Sequence, residues 1–274
     1  EIAGDRLRNL NLKSFIRELL LSTDDSGHLD GSFYYPKYGF GTIFEEIKKY
    51  IGDESFHLNS PVKKIVCNGN RVKKVFYGNG NENNVDRVIS TLPLNILINV
   101  MDPEPSLEIK EAINNIEYRD LNLFVIYLDS SSFTDNASIY FPESKFPFTR
   151  IYEPKNRSKH MAPNDKTCIV IEVPFNRGSI QSSNIKQELF DTISTILIDN
   201  KLINQQQILG YSIYNVPNAY PILGVGIKQV LSPVISYLNK FDNLYILGRN
   251  AEFEYLHTHN LFKKAKTIVS EICE

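Results

Sequence analysis

The chain has 274 residues, enough for one large domain or two ordinary ones. Hydrophobic residues make up 42% and charged residues 23%, the balance of a globular protein with a sizeable core. The formal net charge of −2 gives no electrostatic argument for nucleic acid or an anionic membrane as a partner. No apolar run reaches the roughly 20 residues that cross a bilayer and no secretory leader is recognisable, so we expect a cytoplasmic protein without a transmembrane segment.

Cysteine usage argues against two kinds of stabilising site. The three cysteines, Cys67, Cys168 and Cys273, are odd in number and widely spaced. No C-x-x-C pair or Cys/His cluster accompanies them, so we expect no metal site and no disulfide framework, in keeping with a reducing compartment. The first residue is Glu1 rather than Met, which indicates a fragment or a processed product.

The first predicted element is a helix over residues 5–21, where apolar residues recur at helical spacing. A polar loop is expected over residues 22–32. The stretch YPKYGFG then precedes a second amphipathic helix, which Gly52 is expected to end.

Two glycines precede this second helix. Gly39 and Gly41 form G-x-G, but a dinucleotide fingerprint needs a third glycine where Phe44 stands. The preceding residues are aromatic and include Pro36, unlike a central parallel strand. Spacing alone therefore favours a tight turn that caps a helix, with binding of a ligand group at the helix N-terminus as the alternative.

The hydrophobic period changes from helical to alternating over residues 60–93, which predicts a β-meander of three short strands. Tight turns are expected at residues 68–70 and 78–80. The last strand of the meander is predicted over residues 85–92, just before Pro93.

Strands dominate the remainder of the chain. Helices are predicted over residues 106–118, 184–202 and 260–274, and strands over residues 120–130, 137–142, 148–154, 167–175, 208–217 and 243–250. These strands do not alternate regularly with helices, so they predict an α+β fold whose mostly antiparallel sheet carries helices. The last apolar strand breaks at Gly248.

Five stretches cover nearly the whole chain in a recognisable order: YPKYGFGTIFEEIKKYIG, LNSPVKKIVCNGNRVKKVFYGNGNENNVDRVISTLPL, FTRIYEPKNRSKHMAPNDKTCIVIEVP, VPNAYPIL and NLYILGRNAEFEYLHTHNLFKKAKTIVSEI. Their order resembles flavin-dependent oxidoreductases of the amine oxidase and protoporphyrinogen oxidase superfamily, whose architecture UDP-galactopyranose mutase-like proteins share. In turn, they look like the glycine turn and helix near the flavin, the adenine-side meander, a substrate-domain segment, an Ala-Tyr-Pro turn, and the closing flavin-binding strand, Gly-Arg turn and helix.

The resemblance implies FAD as the cofactor of a full-length protein. It also implies that this chain is the C-terminal portion of such a protein, because the unit whose G-x-G-x-x-G holds the ADP part of FAD does not appear. Without that N-terminal dinucleotide-binding unit, we expect the isolated chain to lack FAD. The implied domain layout is 1–35 as the helical part of the substrate domain, 36–92 as an FAD-domain segment with the meander, 93–241 as the substrate-binding domain, and 242–274 as the closing FAD-domain strand and helix.

The resemblance implies cofactor-binding residues in five places. They are Pro36, Gly39 and Gly41 at the turn beside the isoalloxazine ring, Val62 at the adenine edge, Thr91 where the meander ends, Gly248 and Arg249 near the pyrophosphate, and Thr258 and His259 near the flavin pyrimidine carbonyls. An arginine suits phosphate because its guanidinium is a planar, charged fork. The structural alternatives are a core position for Val62, a surface position for Arg249, and a solvated turn with Thr258 as the helix cap. The His-x-His pair at His257 has no third ligand at recognisable spacing.

Arg150, Tyr152 and Tyr220 are the candidates for substrate binding. The aromatic setting of Arg150 suits an anionic or sugar substrate, whereas packing and rim positions are the structural alternative. No nucleophile motif is present and no catalytic residue can be named. In flavin enzymes the cofactor carries the chemistry, so a weak acid–base signature is expected.

Three functions stay open at this point. The leading one is an FAD-dependent oxidoreductase that takes hydride from a C–N or C–C bond and is inactive as the isolated fragment. The second is a UDP-galactopyranose mutase-like nucleotide-sugar enzyme of surface polysaccharide (lipopolysaccharide) biosynthesis. The resemblance favours this branch at one point, because the chain has Gly-Arg in the turn where amine oxidases more typically have Gly-Asp. The third is a non-catalytic binding module. The expected ligand is a small molecule, either an amine or a nucleotide sugar.

Overall fold

The computed structural model of the protein describes residues 34–176 and 183–273. The helix predicted over residues 5–21 and the loop predicted over residues 22–32 lie outside these residues. The helices are α1 (Thr42–Ile51), α2 (Leu94–Asn99), α3 (Leu107–Asn114), α4 (Ser183–Asp199), α5 (Ile227–Leu238) and α6 (Thr258–Cys273). The strands are β1 (Val62–Asn68), β2 (Arg71–Tyr77), β3 (Asn81–Asn84), β4 (Val88–Ser90), β5 (Met101–Asp102), β6 (Tyr118–Leu128), β7 (Ile139–Tyr140), β8 (Arg150–Tyr152), β9 (Thr167–Asn176), β10 (Ile208–Pro221) and β11 (Leu244–Ile246).

The largest layer is a five-stranded antiparallel sheet with the order β10-β6-β9-β8-β7. Successive side chains of a strand point to opposite faces, so each strand contributes to two surfaces. One face carries Phe124, Ile126 and Ile171, which pack with residues of α4 in a buried core. We call the other face the open face. It carries Leu123, Tyr127, Tyr140, Arg150, Tyr152, Cys168, Glu172 and Tyr214.

A second sheet contains the meander and has the order β3-β2-β1-β5, with β5 parallel to β1. Its turns at residues 69–70 and 78–80 confirm the predicted hairpins. The strand predicted over residues 85–92 is present but shorter, as β4, and its predicted place in the meander is wrong. The third strand of the meander is the exposed, polar β3, which pairs with β2 through its backbone and through an ion pair between Lys74 and Glu82. Residues 88–90 lie outside the meander and pair with β11 instead.

β4 and β11 form a two-stranded parallel sheet, in which Val88 pairs with Leu244 and Ser90 with Ile246. The residue before β11, Asn243, is 2% exposed and ties this sheet to the meander. Its side chain accepts a hydrogen bond from the Val72 amide at 2.8 Å and donates to the Val72 carbonyl at 2.9 Å. The end of the chain is thus hydrogen-bonded directly to the meander.

Two cores hold these layers together. The first lies between the meander, α2, α3, α5 and β11, and includes Ile65, Leu97, Ile113, Val234 and Leu244. The second lies between the five-stranded sheet and α4. Each fully buried aliphatic side chain contributes about 1.5–3 kcal/mol relative to exposure. Because β6 begins in the first core and continues into the second, the two cores share one strand.

The predicted fold class is confirmed: the structure is α+β, with mostly antiparallel sheets that carry helices. Two helices, α2 and α5, and the short strand β5 were not predicted. The stretch VPNAYPIL is not a turn. Its first six residues continue β10, with an irregularity between Val216 and Tyr220 at which Asn218 takes a φ of 49°. Within the described ranges, none of the helices is long and apolar enough to cross a membrane.

Candidate functional site

The open face groups charged and aromatic side chains at one end of the sheet. Arg150 on β8 lies opposite Glu172 on β9 and donates a hydrogen bond to its carboxylate. The two side chains are 33% and 17% exposed. The rings of Tyr152 and Tyr140 lie 5.1 and 6.0 Å from the guanidinium carbon of Arg150. The arrangement offers a ligand both hydrogen bonds and aromatic surfaces for stacking.

The pKa shifts in this group preserve its charge pattern at neutral pH. Burial acts to lower the pKa of Arg150, but hydrogen bonds with Glu172 and Tyr140 outweigh it and hold that pKa above its ordinary value. Burial raises the pKa of the Tyr152 phenol, and the charge of Glu172 adds to the rise. The guanidinium therefore stays positive and the phenol stays neutral.

Tyr220 connects the open face with the turn that follows β11. It lies opposite Arg119 on β6, and its ring is 5.6 Å from the guanidinium carbon of Arg249. Burial raises the pKa of Tyr220 and Glu172 raises it further, whereas Arg119, Arg249 and Arg150 lower it. Three arginines and one glutamate thus act on the same phenol, so the charge around it is positive.

Two tyrosine rings lie near Arg249. The ring of Tyr255 is 4.4 Å and the ring of Tyr220 is 5.6 Å from the guanidinium carbon. The Nε atom of Arg249 is buried and has no hydrogen-bond partner among the described residues. A buried donor without an acceptor is costly. An anionic group such as a phosphate is the ligand chemistry that fits this orphaned donor.

Gly248 opens the turn with a φ of 119°, a conformation that residues with a side chain rarely adopt. A Cβ placed on Gly248 would lie 3.7 Å from the Cβ of Thr91, so these two predicted cofactor residues are neighbours. The Gly248 amide donates to Glu252 at 3.0 Å, and Lys264 of α6 donates to the same carboxylate at 2.5 Å. The turn is thereby tied to α6.

The turn predicted before α1 is present, but no side-chain hydrogen bond caps the helix at Gly41. The Gly39 amide donates to the Pro36 carbonyl at 3.1 Å, and the Thr42 hydroxyl donates to the Gly39 carbonyl at 2.7 Å. Gly39 is buried with a φ of 103°, and a Cβ there would lie 3.0 Å from the sulfur of Met161. Gly41 is exposed, and a Cβ there would have no described atom within 4 Å. The positive φ favours glycine at the first position, whereas the second leaves backbone open to a ligand.

This turn is attached to the connection between β8 and β9. The Ser158 hydroxyl donates to the Lys37 carbonyl at 2.7 Å, and the rings of Tyr38 and His160 meet edge to face at 6.0 Å. The predicted cofactor turn and the substrate sheet therefore touch through the residues around Met161.

The remaining predicted cofactor residues lie at the start of β1 and at the start of α6. Val62 begins β1, opposite Tyr77, and packs against the first core. Thr258 is the first residue of α6, and the exposed His259 stacks its ring on that of His257 at 5.8 Å. Across the described residues, no group of three or more His, Cys, Asp or Glu side chains could hold a metal ion.

Three residues of this region were not singled out from the sequence: Tyr140, Glu172 and Tyr255. Glu172 is the one charge inside the apolar stretch TCIVIEVPF, and that contrast was a usable signal. Tyr255 lies six residues after Arg249 with no periodic pattern between them, so only the folded turn reveals that their side chains meet.

Several solved structures share the fold. A reduced UDP-galactopyranose mutase superposes with a TM-score of 0.70 at 20% identity, over 89% of this chain and 53% of its own. A protein assigned as a protoporphyrinogen oxidase, from Exiguobacterium sp. 255-15, gives a TM-score of 0.70 at 14% identity, over 98% of this chain and 56% of its own. Putrescine oxidase bound to putrescine gives a TM-score of 0.61 at 13% identity, over 86% and 53%. The chain spans about half the length of these proteins.

At such identities the similarity shows the fold alone. No curated protein sequence gives a significant match to this chain. Residues 14–207 match the profile of the family described as flavin containing amine oxidoreductase, and this match extends over more than half of the chain. The chain therefore belongs to the flavin-containing amine oxidoreductase family.

Proposed function

We propose that this chain forms the substrate face and part of the cofactor site of an FAD-dependent oxidoreductase. Family membership supports both the reaction class and the cofactor. The observation that carries the proposal is the position of Tyr220, between Arg249 on the turn after β11 and the Arg150–Glu172 pair on the open face. When bound, FAD would accept a hydride from a C–H bond as the adjacent C–N or C–C bond of the substrate is oxidised to a double bond.

The residues proposed to hold FAD line the two turns, the start of β1 and the start of α6. They are Pro36, Gly39, Gly41, Val62, Thr91, Gly248, Arg249, Thr258 and His259. Arg249 fits a phosphate because its buried Nε lacks an acceptor. The amide of Gly248 is already bonded to Glu252, so the guanidinium is the better donor on this turn. The open backbone at Gly41 fits the close approach of a flat ring.

A second candidate function, a nucleotide-sugar enzyme of the UDP-galactopyranose mutase type, is favoured by the charge around Tyr220. Three arginines and one glutamate attract a diphosphate and repel the ammonium group of an amine. Arg150, Tyr152 and Tyr220 would bind the substrate, with the rings stacking on a base or sugar. For this second candidate we therefore propose an anionic nucleotide sugar rather than an amine as the substrate. The reaction would then belong to surface polysaccharide synthesis.

We also propose that a dinucleotide-binding unit outside this chain completes the cofactor site. The matched structures are nearly twice as long as the part that this chain covers. In this arrangement residues 36–92 and 242–274 belong to the FAD domain, and residues 1–35 and 93–241 to the substrate domain. The chain by itself would then be colourless and inactive.

The first test is the colour of the complete protein, purified without added flavin. A folded, yellow preparation with flavin absorbance is expected. A folded but colourless preparation that also fails to take up added FAD would exclude the proposed enzymatic function. The non-catalytic binding module would then be the function that is left.

The second test concerns Arg249. Arg249→Ala in the complete protein should weaken FAD binding about tenfold or more, because a charge-assisted hydrogen bond to phosphate is lost. Arg71→Ala, at an exposed position in the meander, is the matched control and should bind FAD normally. Equal FAD dissociation constants for the two variants, measured by flavin fluorescence, would remove Arg249 from the site.

The third test separates the two substrate classes. Anaerobic bleaching of the flavin by putrescine would support amine oxidation, and turnover of UDP-galactose by the reduced protein would support the second candidate. Bleaching by putrescine without binding of UDP-galactose would exclude the second candidate, and binding of UDP-galactose without bleaching by putrescine would exclude amine oxidation. Arg150→Met combined with Glu172→Gln should weaken the binding of UDP, since the double change removes the pair without leaving one charge buried alone.

A further inference from the structure

A chain of buried hydrogen bonds connects four separate elements beneath the Arg249–Tyr220 contact. The Leu94 amide donates to the Tyr118 hydroxyl at 3.0 Å, which donates to the Asn250 carbonyl at 2.7 Å. The Asn250 side-chain amide donates to the Asn218 carbonyl at 2.6 Å. The Asn218 amide donates to the Asp120 carboxylate at 2.7 Å.

Three members of this chain are buried, and Asn250 is half-buried. Tyr118, Asp120 and Asn218 are 5%, 7% and 7% exposed. In a site of this kind a hydrogen bond is stronger than in water, and an unpaired partner is correspondingly costly. Three side chains, those of Tyr118, Asp120 and Asn250, thus hold backbone groups of Leu94, Asn218 and Asn250.

The arrangement holds a conformation that the backbone does not favour. Asn218 has a φ of 49° at the irregularity of β10, where most residues with a side chain are strained. Asp120 binds the amide of Asn218 and Asn250 binds its carbonyl, so both backbone polar groups of this residue are fixed by side chains. Two residues later, Tyr220 meets Arg249, which directly precedes Asn250.

We propose that Asp120 and Asn250 are positioning residues, which clamp the β10 irregularity to the turn after β11 and thereby set the ring of Tyr220 against the guanidinium of Arg249. Asn250 fixes the turn that carries Arg249, and Asp120 fixes the strand that carries Tyr220. Tyr118 anchors both to the start of α2. The value of the clamp for ligand binding rests on the proposed function, but its geometry does not.

Arginine-selective labelling with phenylglyoxal tests the clamp directly. The rate of modification at Arg249 is read by peptide mass spectrometry, with the exposed Arg71 as the internal reference. Asp120→Leu should raise the rate at Arg249 about fivefold to tenfold relative to Arg71, because the guanidinium leaves its place beside the two rings. Asp120→Asn keeps an acceptor for the Asn218 amide, so the labelling rate at Arg249 should stay near that of the protein without substitutions.

Asn250→Ala provides a second variant if Asp120→Leu does not fold, since it removes only the bond to the Asn218 carbonyl. It should raise the rate at Arg249 in the same way. Unchanged labelling of Arg249 in a folded variant would overturn the proposal, as would an equal rise at Arg249 and Arg71, or equal effects of Asp120→Leu and Asp120→Asn. The experiment uses neither FAD nor substrate, so a protein that proved not to bind FAD would defeat the proposed function and leave this result standing.

Discussion

At the scale of single residues, buried polar side chains in this protein hold backbone groups that no strand or helix satisfies. Glu153 is 0% exposed. Its carboxylate accepts hydrogen bonds from the amides of Phe133 and Thr134 at 2.9 and 3.0 Å and from the hydroxyl of Thr167 at 2.6 Å. It thereby fixes the loop that follows β6 onto the end of β8 and the start of β9.

Removing this carboxylate should be strongly destabilising. Glu153→Ala should lower the free energy of unfolding by about 2–4 kcal/mol, because two amides and a hydroxyl lose their acceptor in a buried site. Glu153→Gln is the matched control, since its amide can accept from both backbone donors and donate to Thr167, and it should cost about 1 kcal/mol. Urea unfolding measures both values, and equal losses would contradict the role of the acceptor.

A second prediction for a single residue concerns Tyr118 and the pH dependence of the protein's stability. Burial raises the pKa of its phenol from 10.0 to about 12, although the hydrogen bond from the Leu94 amide lowers it. The folded state therefore keeps the proton after the unfolded state has lost it. Between pH 10 and pH 12 the stability should fall as the pH rises, by up to about 1.4 kcal/mol for each pH unit from this one residue.

Tyr118→Phe isolates this contribution from those of the other tyrosines. The variant should be less stable than the original protein at pH 8, because the hydrogen bonds to Leu94 and Asn250 are lost. Its disadvantage should shrink as the pH is raised from 10 to 12. Stability curves that stay parallel over that interval, measured by urea unfolding at each pH, would show that Tyr118 does not titrate in this range.

At the scale of elements, Asn243 acts in place of a neighbouring strand. Its side chain binds the amide and carbonyl of Val72, as a paired backbone would, and also donates to the Asp86 carbonyl at 2.8 Å. Asn243→Leu should lower the free energy of unfolding by about 2–4 kcal/mol, since it leaves these buried backbone groups unpaired. Asn83→Ala, at an exposed position of β3, is the matched control and should change it by less than about 0.5 kcal/mol. Similar losses in both variants would remove the role of Asn243.

The elements that sequence reasoning found share a local cause. The β1–β2 hairpin has a turn with glycine, and α6 has apolar residues at helical spacing, so neighbouring residues decide each structure. The parallel pairing of β4 with β11 was missed because it joins residues far apart in the chain. α5 was missed in part because Pro233 lies inside it, which ordinarily argues against a helix.

In the candidate site, too, contacts between neighbouring residues could be predicted, whereas contacts between residues far apart in the chain could not. Arg150 and Tyr152 could be predicted to share a face, since they are two residues apart on one strand. Their contact with Glu172 depends on the register between β8 and β9, which no short stretch specifies. The proximity of Tyr220 to Arg249 depends on the irregularity of β10 at Asn218, and the stretch around it had been read as a turn.

At the scale of the whole molecule, two amphipathic helices carry apolar side chains that the described part of the chain leaves exposed. None of the described residues of α1 or α6 is buried. Phe44 is 50% exposed on α1, and both Phe262 and Val269 are 49% exposed on α6. Exposed apolar surface of this kind marks an interaction site or an aggregation hazard.

We expect the chain by itself to self-associate through these faces. The double variant Phe44→Glu and Val269→Lys should shift it toward the monomer in sedimentation velocity, because each change places a charge on an apolar face. The helices should stay folded, because the negative charge lies near the N-terminus of α1 and the positive charge near the C-terminus of α6. Val225→Glu is the matched control at an exposed apolar residue outside both helices. An unchanged size distribution in the double variant would show that the faces do not cause association.

The parallel pairing of β4 with β11 sets the order in which the molecule can be assembled during its synthesis. The partner of Val88 emerges from the ribosome only when nearly all of the chain has been made. At about 5–20 residues per second, the intervening segment takes on the order of ten seconds to appear. During that interval β4 has no partner strand, so chaperones have a defined window in which to hold its unpaired edge.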